Sequence, residues 1–114
     1  MKGIIFCGSS RERGNEKLKE IINKYKLTGI ETTKSVYSKL GSWAEFENGD
    51  AWRVVSANDN ARGHKCNVAY VERCIDYDIY RTLIMHCLID FPFTAINLWG
   101  EGDLHITSIS PLSL

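Results

Sequence analysis

Two short apolar runs, Gly3 to Cys7 (GIIFC) and Val68 to Val71 (VAYV), constrain this chain more than any other feature. Neither alternates between polar and apolar residues, so neither is a strand with one wet face. Both are bounded by turn formers or polar stretches, and both are far too short to span a membrane. Runs of this kind are strands buried on both sides, and a sheet buried on both sides needs a layer on each. The expected fold class is therefore α/β: a single three-layer domain over residues 1–114, with a central mixed β-sheet and about two helices.

The remaining elements follow from periodicity. Leu18, Ile21, Ile22 and Tyr25 fall at i, i+3, i+4 and i+7, which predicts an amphipathic helix from an N-cap at Asn15 to Gly29. Residues 30–38 are rich in β-branched side chains and read as a strand. A hairpin follows, Trp43 to Phe46 and Ala51 to Ser56, around the Asn48-Gly49 turn. After the polar loop 57–66 and the buried run 67–71, residues 76–89 predict a second helix. Its apolar face is Ile79, Leu83, Ile84, Cys87 and Leu88, and Pro92 ends it. Thr94 to Trp99 and Leu104 to Ser110 complete the series as strands.

Lys+Arg and Asp+Glu balance at 14 each, so no bulk positive field draws the chain to DNA or to an anionic membrane. DNA binding would need a local patch. Without an apolar run near membrane length or a secretory signal, a cytoplasmic protein with reduced thiols is expected. His64, Cys66 and Cys74 are a conceivable metal cluster, at a spacing that matches no common zinc pattern. Buried thiols are the plainer reading. Trp43, Trp52 and Trp99, with Tyr70, Tyr77 and Tyr80, form an aromatic set, part of which stands beside Arg53, Arg62 and Lys65 in sequence. Such rings stack on bases, although at alternating strand positions they more often pack a core.

Gly8-Ser9-Ser10-Arg11-Glu12-Arg13-Gly14-Asn15 joins the first strand to the first helix. A turn of this composition presents free N–H groups to an anion, and Gly8, Ser9, Ser10, Arg11 and Arg13 are candidate phosphate-binding residues. The segment resembles the phosphate loop of flavodoxin-like FMN reductases, which implies FMN as a possible cofactor. An ordinary strand-to-helix connection with solvated arginines is the alternative. No G-x-x-x-x-G-K-[ST] run occurs in the chain.

Residues 46–76, FENGDAWRVVSANDNARGHKCNVAYVERCID, resemble the middle of the ATPase domain of the large terminase subunit, the motor that packages DNA into phage heads. That family has a Phe-x-Asn-Gly-Ser hairpin, an Ala-Arg-Gly loop and a strand ending Asp-Glu; here stand Phe46 to Asp50, Ala61-Arg62-Gly63, and Val68 to Val71 followed by Glu72. The resemblance implies Arg62 as an arginine finger and Glu72 as the magnesium-side carboxylate, binding the metal only with a nucleotide. Thr107, Ser108 and Ser110 would belong to the coupling strand.

By the same alignment Arg73 takes the place of the water-activating Glu, and a guanidinium is no base. The chain would open on the strand that follows the phosphate loop. The expectation is thus a phage or prophage product in a bacterial host, inactive as a hydrolase by itself. It would act through a protein partner, a homodimer or DNA. A small inhibitor of a host defence protein and an FMN or phosphate binder are the alternatives.

Overall fold

The computed structural model describes residues 1–38, 41–58, 63–89, 94–102 and 104. Among them the chain forms β1 (Lys2–Cys7), α1 (Arg11–Leu27), β2 (Thr32–Val36), β3 (Ser42–Phe46), β4 (Ala51–Ser56) and β5 (Val68–Glu72). A short α2 (Tyr77–Ile79) then runs into a π turn (Tyr80–Ile84) and a 3-10 turn (Met85–Cys87), and β6 (Ala95–Trp99) follows.

The strands form one mixed sheet in the order β2-β3-β4-β1-β5-β6. β4, β1, β5 and β6 are mutually parallel, whereas β2, β3 and β4 form an antiparallel meander. The central place of β1 explains why its run is apolar throughout. Ile5 and Cys7 face a core built with Leu18 and Ile21 of α1. Ile4 and Phe6 face a second core built with Ile75, Tyr80, Ile84 and Cys87. These are the three layers expected of a sheet covered on both sides.

Ser10, not Asn15, caps α1: its side chain accepts from the Arg13 N–H at 3.3 Å, so the helix begins five residues earlier than expected. The helix ends as foreseen at Gly29. The Gly29 N–H donates to Lys26 O and the Ile30 N–H to Tyr25 O, each at 3.0 Å. This closure requires a left-handed residue, and Gly29 has φ +86°. The expected 76–89 helix is not a regular α-helix. Its turns widen and then tighten while keeping Tyr80, Leu83, Ile84 and Cys87 inside.

The strand expected over 30–38 is shorter, and β5 extends to Glu72. Of the Leu104–Ser110 strand only Leu104 is described, and it is buried in the second core. Pro92 lies outside the described residues. No described helix is long and apolar enough to cross a membrane.

Candidate functional site

The parallel strands all point their carboxyl ends one way, and the connections from β1 and β5 leave on opposite faces. In an open α/β sheet the crevice at such a point is where ligands bind. Three segments meet there: Gly8-Ser9-Ser10 after β1, Glu72-Arg73-Cys74 at the end of β5, and Gly100 after β6.

Glu72 organises this meeting. Although ionisable, it is only 2% exposed. Its Oε1 accepts from the Gly8 N–H at 2.8 Å and the Ser9 N–H at 3.0 Å. The Ser9 hydroxyl lies 2.8 Å from Oε2 and 3.0 Å from Oε1. Three donors engage both oxygens of the carboxylate. Gly100 closes the other side, where a Cβ would stand 3.2 Å from Glu72 Cγ.

Burial pushes the Glu72 carboxyl up, but the bonds from Ser9 and Gly8 outweigh it and the pKa ends below the ordinary value. Burial, then the neighbouring Glu72 carboxylate, pushes the Cys74 thiol up, so Cys74 stays protonated.

The turn after β1 therefore does hold an anion, and the anion is the protein's own carboxylate. Of the candidate phosphate residues, Gly8 and Ser9 bind Glu72 and Ser10 caps the helix. Arg11 turns away, its guanidinium 3.9 Å from the Cβ position of Gly41. Arg13 is exposed beside a shallow cavity of about 300 Å³ that Glu72, Cys74 and Glu101 also line.

Magnesium does not fit this arrangement. A Mg²⁺ needs open oxygen ligands at octahedral positions, and both Glu72 oxygens are already engaged by Gly8 and Ser9. Arg73, the following residue, donates instead to Gly100 O at 3.2 Å. An FMN phosphate would likewise have to displace Glu72 from Gly8 and Ser9. Arg62, Thr107, Ser108 and Ser110 lie outside the described residues.

The metal candidates are not brought together. Cys66 stands before β5 and Cys74 beyond its other end; burial raises the Cys66 thiol to about 12, with Cys87 as its neighbour. Among the described residues no three His, Cys, Asp or Glu side chains group around a possible ion.

The aromatic set divides as strand alternation demands. Trp52 and Tyr80 are core, while Trp43 is half-buried directly across from Arg53. One network gave no signal in the sequence. Tyr25 donates to Asp50 Oδ2 at 2.7 Å and accepts from the Trp52 indole N–H at 3.0 Å. The Asn-Gly hairpin marked Asp50 only as a turn residue. No family model, curated protein or solved structure matches the chain.

Proposed function

We propose that this chain is a scaffold of the DNA-packaging ATPase kind that works by binding and does not turn over nucleotide by itself. One observation carries the proposal: the Glu72 carboxylate occupies the backbone N–H groups of Gly8 and Ser9, where a phosphate would otherwise sit. Phosphoryl transfer depends on placed charges around the phosphate and on a group that activates water. Here the acid at the end of β5 is committed to the fold, and Arg73 follows it. The motif order from Phe46 to Glu72 supports the packaging-ATPase ancestry, and with it a phage or prophage source and a cytoplasmic setting. Partners in this reading are DNA, a packaging protein or a second copy of the chain. Among the described residues β2 and β6 are the edges of the sheet, and open edges invite pairing.

The test is nucleotide turnover and thermal stability with Mg-ATP. The proposal expects no phosphate release and no shift in melting temperature for the native chain. Turnover lost in Glu72→Ala would refute it.

A second reading draws on topology. Taken in chain order, the parallel strands β1, β4, β5 and β6 sit in the order second-first-third-fourth, the start of the flavodoxin-like arrangement. That arrangement places a flavin phosphate at the turn after β1. A purified protein carrying flavin absorbance would favour this reading over the first.

A further inference from the structure

We infer that the sheet face opposite α1, continued past the carboxyl end of β4 to Arg11, carries a binding trough for single-stranded nucleic acid, with Trp43 as the stacking platform and Arg53 and Arg11 as phosphate contacts. The α2 segment builds its core over β1, β5 and β6, and neither Trp43 nor Arg53 belongs to that core. Register sets both on the same face: Trp43 pairs with Arg53, and Arg53 with Ile4. A cavity of about 340 Å³ and a second of about 200 Å³ open here. Trp43, Arg53 and His64 line both, so the two form one elongated trough.

Its charge is one-sided in a chain of zero net charge. Lys2 and Lys65 stand toward one end and Arg11 toward the other, with Arg53 between and Glu45 as the acid on the described walls. Lys65 is held in place by donating to His86 O, a neutral acceptor, at 2.6 Å. Arg11 and Arg53 have no ion-pair partner among the described residues. Lys34 lies 5.3 Å from the Trp43 ring centre, an exposed contact that a stacking base would displace.

Spaced cations favour a polyanion, and an accessible indole among them favours one with flat rings. A single strand offers both, whereas an acidic peptide offers only the charge. This proposal rests on the reading that the chain works by binding. If no strand binds and no ATP is turned over, that reading still stands for a protein partner. ATP turnover would overturn that reading and leave the trough untouched.

Short fluorescein-labelled oligothymidylate and oligouridylate are titrated with the full chain, and anisotropy is read as salt is raised. Two phosphate contacts, Arg53 and Arg11, give a slope of log affinity against log salt of about −1.4. Trp43→Ala should weaken binding about 5- to 150-fold, with Trp43→Phe keeping most of it. Arg53→Gln should flatten the slope by about 0.7. Thermal melts establish that each variant is folded, and Arg53, an exposed residue, serves if Trp43→Ala is not. No binding at low salt overturns the proposal. So does equal competition by polyglutamate, or unchanged affinity in a folded Trp43→Ala.

Discussion

Replacing Glu72 by Ala removes the carboxylate that bonds the turn after β1 to the end of β5. The Gly8 and Ser9 N–H groups and the Ser9 hydroxyl all lose their acceptor. A buried donor left unpaired costs about 1–3 kcal/mol, and a hydrogen bond to a charged group contributes about 1.5–3 kcal/mol. Gly8 and Ser9 are themselves exposed residues, so water replaces part of what is lost. The balance is a loss of about 2–4 kcal/mol, within the stability of a domain this size. At roughly 4 °C per kcal/mol, the melting temperature falls by about 8–16 °C.

Urea unfolding followed by tryptophan fluorescence measures the loss. Inorganic phosphate then tests its cause, because the vacated N–H groups become an anion site. With a dissociation constant of about 5 mM, about 50 mM phosphate would return about 1.4 kcal/mol to Glu72→Ala. Phosphate also stabilises proteins generally, so the quantity of interest is the gain of the variant beyond that of the native chain. A loss below about 1 kcal/mol, or equal phosphate gains in both proteins, refutes the reasoning.

Three further outcomes follow from the same structure. The folded-state pKa values of Glu72 and Asp50 are depressed, so their stabilisation is complete above the unfolded carboxyl range and is lost as pH falls through the folded values; acid titration of Glu72→Gln should show a shallower decline than the native chain. Tyr25→Phe leaves the Trp52 indole N–H and Asp50 without their shared partner and should cost about 1–2 kcal/mol by urea unfolding. Gly14→Ala, normally favourable in a helix by up to about 1 kcal/mol, should instead destabilise by about 1–3 kcal/mol in a thermal melt. A Cβ there would meet Val54 Cγ1 at 2.5 Å.

How far the sequence reached depended on how local each signal was. β1, β3, β4 and β5 were legible because burial and the Asn-Gly turn write themselves into consecutive residues. The C-terminal closure of α1 was legible for the same reason. Its start was misplaced because Gly14 looked like a loop residue, when it is a helical position pressed against Val54. Only the packed structure reveals that demand. The second helix had a regular apolar stripe, yet the spacing of Tyr80, Leu83, Ile84 and Cys87 is met as well by widened and tightened turns.

Both halves of the central site were marked beforehand, the Gly-Ser turn as an anion cradle and Glu72 as a strand-ending acid. Their pairing was not, because 64 residues separate Gly8 from Glu72 and nothing in either segment names the other. Read along the chain, the two are separate sites for separate ligands. In the fold, one is the ligand of the other.

The amides of Gly8 and Ser9 report this pairing most directly, by nitrogen–proton correlation spectra recorded through a pH titration and again with Mg-ATP. The account predicts that both resonances move together with the Glu72 carboxyl, at a midpoint below the ordinary carboxylate value, and stay still when Mg-ATP is added. Amides that shift with Mg-ATP, or that titrate independently of Glu72, would contradict it.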